Sequence, residues 1–359
     1  MKPRNTYFVC LGQGKAPIAW DPFDQERQIN LHTDYFGKAM IALEERLQGE
    51  GYQVYLTWDL DALPSYGERV VAVVLGDEWC RVPAYAQRVH RLFKCYGIGP
   101  DLGFALFSRP TYQRFLTWFQ YLQAGMRYLP GRLRASLASP PDGMPLGERI
   151  HPIPLGYANQ IELPVKPLAE RQFDLSFAGS VVHKPYPIWS PKRWFQTPKS
   201  HARQTMLDGL KRLVGTRPEW AIDLKITESY KAIRSADPNE YSTRMMDTRI
   251  CLAPRGTSIE TFRYFEGMRY GCIVITERLP SRWFYDGAPA LIVDDWSELE
   301  DVLDGLLGDP ERMEALHRAS LNWWRDVCSP QALGRYMADV LDGRSPRAVS
   351  PRKEISVTS

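Results

Sequence analysis

The segment Ile250 to Thr276, ICLAPRGTSIETFRYFEGMRYGCIVIT, leaves this chain little choice of fold. Two runs of strand-forming residues, Ile250 to Ala253 and Cys272 to Thr276, flank a tight loop and a stretch of helical spacing from Ser258 to Tyr270. Two strands joined by one helix make a parallel βαβ unit. Such a unit brings the loop Arg255-Gly256-Thr257-Ser258, Arg263 and Glu266 to the carboxyl edge of its sheet, where open α/β sheets take ligands. Thr257 and Glu260 fit a capping box, so Glu260 reads as a cap. The free N–H groups of that first turn favour an anion. Arg255 and Arg263 add charge-assisted bonds suited to phosphate oxygens. Glu266 falls on the stripe that should face protein, and a carboxylate there needs partners. They are either Arg263, three residues back, or the two hydroxyls of a ribose.

The same alternation runs through the rest of the chain. Thr6 to Leu11, Tyr52 to Trp58 and Val70 to Leu75 read as strands, with a helix carrying Phe36, Met40, Leu43 and Leu47 between the first two. A second set begins at Phe173 with the strand Asp174 to Phe177 running into Ala178-Gly179-Ser180, then a helix Ser200 to Val214 and a strand Ala221 to Ile226. A Pro- and Trp-rich loop, Lys184 to Pro198, lies between strand and helix, and helices at Trp296 to Leu307, Pro310 to Val327 and Gln331 to Leu341 close the chain. At 359 residues this is too long for one typical core. The expected division is an N-terminal Rossmann-like domain (1–150), a C-terminal one (151–325), a helix returning to the first domain (326–343) and a disordered tail (344–359). The Pro-, Gly- and Ser-rich stretch Ser136 to Pro154 is the expected connection.

Charge excludes some partners. With 45 basic and 42 acidic residues the net charge is +3, too balanced for nucleic acid. The six cysteines have no metal-ligand or redox spacing, which predicts buried reduced thiols. No signal peptide and no membrane-spanning run is evident, so a cytoplasmic protein is expected, with the inner face of the membrane the place for any peripheral contact. Gly12-Gln13-Gly14-Lys15 lacks the Walker ending of a phosphate loop.

CLAPRG followed by ETFRYFEGMRYGCIVI resembles the C-terminal half of exostosin-like glycosyltransferases and related bacterial glycosyltransferases built from two facing Rossmann-like domains, the GT-B architecture. Val274 stands after Ile273 where that family has proline. The resemblance implies a nucleotide-sugar donor bound by the C-terminal domain, with Glu266 on the ribose and Arg255, Arg263 and Arg203 near the diphosphate. Gly179 and Ser180 end the first strand of that half, where a glycine lets backbone approach a ligand. No metal is expected, the arginines doing its work. Retaining enzymes of this architecture often carry two glutamates eight positions apart; eight after Glu260 stands Met268, which favours inversion. Inversion needs a base from the first domain, and Asp77 and Glu78, following the strand Val70 to Leu75, are the candidates, with His32 behind them. A carbohydrate or glycolipid acceptor, in surface polysaccharide or glycoconjugate synthesis, completes the expectation. A sugar-nucleotide epimerase or hydrolase, or a non-catalytic binding subunit, would use the same scaffold.

The helix Thr111 to Leu129 carries Phe115, Trp118, Phe119, Leu122 and Met126 on one stripe, flanked by Arg127, Arg132 and Arg134. A stripe at helical spacing is ordinarily core, which is the expectation here; the arginines would also suit a membrane surface. Trp323-Trp324 reads as packing, and Asp294-Asp295 as the start of a helix.

Overall fold

The computed structural model describes residues 4–12, 15–24, 29–103, 110–138, 142–158, 160–181, 196–227 and 237–344. Parts of four predicted segments lie outside them: the Gly12–Lys15 loop, the connection Ser136 to Pro154, the loop Lys184 to Pro198 and the tail after Arg344.

Two parallel sheets organise the chain. The first has six strands in the order β2-β1-β3-β4-β5-β6, comprising β1 (Thr6–Cys10), β2 (Ile18–Trp20), β3 (Gln53–Thr57), β4 (Gly67–Val74), β5 (Val89–Lys94) and β6 (Ile150–Pro152). Only β2 is antiparallel to its neighbour. The helices α1 (Thr33–Arg46), α2 (Tyr112–Leu137) and the short α3 (Leu146–Arg149) belong to this half. Three strands escaped the sequence reading: β2 inside an apparent loop, and β5 and β6, of which β6 runs through the anticipated boundary at residue 150.

The second sheet has five parallel strands: β7 (Phe173–Ser180), β8 (Ile222–Thr227), β9 (Thr248–Ala253), β10 (Ile273–Glu277) and β11 (Leu291–Val293). Their order is β11-β10-β9-β7-β8. Helices α4 (Pro198–Thr216), α5 (Pro238–Met246), α6 (Phe262–Arg269), α7 (Leu299–Leu307), α8 (Pro310–Trp323) and α9 (Pro330–Leu341) complete it. Chain order reverses between β7 and β9, so these two neighbours form the topological switch point at which such a sheet opens a crevice.

Burial on both faces explains the apolar strand runs. In β9 and β10, Cys251, Ala253 and Val274 enter one core cluster while Ile250, Leu252, Ile273 and Ile275 enter another. The first cluster also takes Val9, Val54, Leu56, Val71 and Val73 from the first sheet, so one apolar body joins the two halves. The returning helix α9 belongs to it through Leu333, Met337 and Leu341. It packs on α1, where Arg46 pairs with Asp339 at 2.9 Å. A Cβ on Gly334 would stand 2.2 Å from the Ala39 carbonyl oxygen, which explains glycine there.

Two helices depart from expectation. α2 continues through Pro130 to Leu137, and its apolar stripe lies in solvent: Phe115, Phe119 and Met126 are 50%, 59% and 68% exposed. Core packing of that stripe is overturned. α6 starts at Phe262 with Thr261 as N-cap, not at Ser258. Glu260 is therefore no cap; its carboxylate pairs with Arg282 at 2.7 Å in a buried contact. The loop before α6 is held open by distant partners: Gln120 Nε2 donates to the Thr257 carbonyl, and Arg282 also donates to Tyr96 O at 2.7 Å.

Candidate functional site

A cavity of about 380 Å³ lies where the carboxyl ends of both sheets meet. That volume falls within the range of small-molecule sites. Its walls on the first half are His32, Trp58, the turn Leu75 to Glu78 after β4, and Tyr96 after β5. On the second half they include Lys199, Arg203, Tyr241, Gly256, Thr257, Arg263 and Glu266. Asp77 and Tyr96 both hold positive φ, 82° and 62°, conformations that non-glycine residues adopt at a cost and that gather at functional sites.

The cationic wall follows from the topology. α4 leaves β7 and α6 leaves β9, so the two first turns converge on the switch point. Thr197 caps α4 in a reciprocal box with Ser200, which places Lys199 and Arg203 one turn apart on the cavity side. Arg203 donates to Arg255 O at 3.1 Å and to Ser180 O at 2.8 Å. Arg263, the second residue of α6, donates to the Ala178 carbonyl and lies 4.7 Å from the Phe177 ring centroid, with its Nε buried and unpartnered among the described residues. None of the three cations forms an ion pair with the described residues. Burial, and then the charge of Arg203, lowers the Lys199 pKa, with Arg263 adding to the effect. Burial and Arg263 likewise pull the Arg203 guanidinium down. Adjacent buried and half-buried charges of one sign invite an anion.

Glu266 completes this wall. Its Oε2 accepts from Tyr241 Oη at 2.7 Å and its Oε1 from the Ala158 N–H at 3.3 Å. Arg263, the local alternative, makes no ion pair with it. Burial pushes the Glu266 carboxyl up from its ordinary range, and the Tyr241 hydroxyl pulls it partly back.

Other anticipated residues go elsewhere. Arg255 is turned away from the cavity: its Nη1 donates to Thr117 Oγ1 at 2.8 Å and its Nη2 to Gln120 Oε1 at 3.1 Å, both on α2. It clasps the two halves together and does not line the cavity, because α2 offers polar groups where the sequence promised only an aromatic stripe. Gly179 and Ser180 are also not in the wall; the Ser180 carbonyl positions Arg203, and a Cβ on Gly179 would lie 3.1 Å from Arg263 Nη2. Ser258 lines an adjoining hollow of about 40 Å³, its Oγ accepting from Glu260 N at 3.3 Å. Gly256 and Thr257 do line the main cavity.

The three candidate bases differ in their freedom. Asp77 is withdrawn: its carboxylate meets Arg81 Nε at 2.8 Å and Lys94 Nζ at 3.2 Å, with its side chain and that of Lys94 essentially inaccessible. Glu78 is exposed in the cavity, and no ion pair or hydrogen bond with the described residues occupies it. Its charge reaches Lys199 and Arg203. His32 occupies the N-cap position of α1 without a side-chain capping bond, its ring 5.2 Å from that of Phe262 and 5.8 Å from that of Trp58.

Lys199 and Tyr241 were missed in the sequence. Lys199 carried a signal, since two like charges at i and i+4 oppose each other on a helix and need a reason to be there. Tyr241 carried none.

No family model matches the chain, and no curated protein matches it. Among solved structures it is similar to a sucrose-phosphate synthase from Thermosynechococcus elongatus, at 12% identity and TM-score 0.42, over 93% of this chain and 98% of that one. An alpha-glucosyltransferase solved with UDP and a 13-mer DNA containing an HMU base gives 9% identity and TM-score 0.38 over 94% and 100% of the two chains. A chain of the GtfA/B complex gives 11% and 0.40, over 78% of this chain and only 58% of its own length. Overlap of this extent leaves the chemistry to be argued from the cavity itself.

Proposed function

We propose that the protein is a glycosyltransferase of the GT-B type, moving a sugar from a nucleotide diphosphate donor to an acceptor hydroxyl. The observation that carries this is the convergence of Lys199, Arg203 and Arg263 on one cavity: Glu78 and Glu266 line it too, but none of the three cations is ion-paired with a described residue, which leaves room for an anionic counter-charge. In this reading the diphosphate is that counter-charge. Glu266, held by Tyr241 and Ala158, accepts from the ribose hydroxyls. Glu78, across the cavity, takes the proton of the acceptor hydroxyl; the acceptor oxygen attacks the anomeric carbon, and the sugar–phosphate bond breaks with its electron pair leaving on the diphosphate. A single displacement of this kind inverts the anomeric centre. The three cations stabilise the departing charge, so the reaction needs no metal. Closure between the two sheets limits hydrolysis by excluding water.

The test is calorimetric titration with a panel of nucleoside diphosphates, with and without Mg²⁺. Micromolar binding of at least one, insensitive to Mg²⁺ and lost in Arg263→Ala, is expected; no binding by any would sink the donor site. Donor turnover that proceeds equally without an added acceptor would favour a hydrolase or epimerase instead.

A further inference from the structure

Helix α2 is amphipathic the wrong way round. The side it turns to the protein carries Gln113, Thr117, Gln120, Ala124 and Ala135 with the single large apolar residue Leu116, and is largely polar or small. Gln113 Nε2 donates to Pro198 O at 3.2 Å and to Glu277 Oε1 at 3.1 Å, and Thr117 and Gln120 hold Arg255. The side it turns to solvent carries Phe115, Trp118, Phe119, Leu122, Met126, Leu129, Leu133 and Leu137, exposed by 44% to 86%. At the helical period these eight residues fall in one stripe about 100° wide. Scattered exposed apolar residues need no explanation, but a continuous stripe over about six turns does.

We propose that this stripe seats the protein on an anionic lipid bilayer, with α2 lying in the interface. Charge selects the occupant. Arg132 stands on one border of the stripe and Arg134 on the other, with Arg127 beside Arg134 and stacked on Trp79 at 3.9 Å, while Arg114 is turned inward to Asp294 at 3.0 Å; no acidic residue occurs from Thr111 to Pro141. Arginines along both edges of an apolar face reach lipid phosphates while the apolar side chains enter the acyl boundary. Tyr112 and Trp118, both exposed, add rings of the kind enriched at that depth. The stripe is one convex helix, not a groove that would hold a protein segment. No helix of the described residues is long and apolar enough to cross a membrane, so α2 lies on the bilayer. The opposite side of the same helix meets the Arg255–Thr257 loop beside the cavity, which places the bilayer surface next to the site. Docking stands independently of the glycosyl-transfer reading.

Co-sedimentation of the full chain with vesicles tests it. Vesicles of phosphatidylcholine containing about 30% phosphatidylglycerol should pellet most of the protein at low salt, and pure phosphatidylcholine little, with binding weakened as salt rises. The double variant Phe119→Asp/Met126→Asp should lower partitioning by more than about tenfold, and Arg132→Glu/Arg134→Glu should remove the preference for the anionic lipid. Melting temperature and nucleoside diphosphate affinity should be unchanged in both, so a failure here is separable from a failure of the donor site. Absence of vesicle binding would overturn the proposal. So would a wild-type dimer in sedimentation velocity that Phe119→Asp/Met126→Asp dissociates while vesicles bind neither form.

Discussion

Replacing Lys199 with methionine should have opposite effects on the empty and the occupied site. In the empty protein Lys199 stands one helical turn from Arg203, near Arg263, with no acid among the described residues paired to it. A like-charge pair at this spacing costs about 0.2–0.5 kcal/mol on a helix, and the partly buried ammonium adds desolvation. Methionine keeps the stem and removes the charge, so the midpoint of urea unfolding without ligand should stay level or rise slightly. With a diphosphate bound, one charge-assisted hydrogen bond is lost, worth about 1.5–3 kcal/mol. Dissociation constants should therefore rise roughly 10- to 150-fold, read by titration calorimetry.

The pH dependence gives a second sign. Burial and Arg203 hold the folded pKa of Lys199 below its usual value, which in the unfolded chain is about 10.4. Between the two values the unfolded chain keeps the proton that the folded chain has released, so this group's contribution to stability rises with pH. Diphosphate affinity falls over the same window as the ammonium is lost. The difference between wild type and Lys199→Met isolates both trends, and Lys199→Arg should keep affinity flat across the window. Diphosphate affinity unchanged within threefold, or a ligand-free loss above about 2 kcal/mol, would refute the view of Lys199 as a cation waiting for an anion.

Glu78→Gln should lower kcat by about a hundred- to ten-thousand-fold with donor affinity unchanged, since it removes a base and leaves the nucleotide wall intact; steady-state kinetics with saturating acceptor checks this. Glu266→Gln should weaken a nucleoside diphosphate about tenfold or more while leaving inorganic pyrophosphate unaffected, and equal losses for both ligands would contradict a ribose role. Glu260→Ala should destabilise by about 3–5 kcal/mol, because Arg282 is then left buried without its partner; chemical denaturation measures it.

Sequence and structure agree most closely from Phe173 to Thr276. β9 and β10 announce themselves because strands covered on both faces must be apolar nearly throughout, and β7, FDLSFAGS, by its alternation ahead of Gly179 and Ser180. β5, VHRLFK, was hidden because His90 and Arg91 break that pattern; its place is decided by pairing with β4. The start of α6 was misplaced for a related reason. A capping box written in the sequence lost to Gln120, 137 residues away from Thr257, and to the buried pairing of Glu260 with Arg282.

Local spacing thus determined that the chain alternates strands and helices, that it folds as two Rossmann-like halves, and that Arg263 and Glu266 stand at one sheet edge. Those facts depend on backbone periodicity, which neighbouring residues set among themselves. Arg203 came from the family resemblance, since spacing alone left it a solvated helix residue. Only the tertiary structure decided that Arg255 clasps α2, that Asp77 is consumed by Lys94 and Arg81, that Lys199 joins the cationic wall, and that the aromatic stripe of α2 points outward. In each case the outcome depends on which distant group supplies a charge, a hydrogen bond or an apolar surface. A helical period names a face; what that face meets is settled by residues far along the chain.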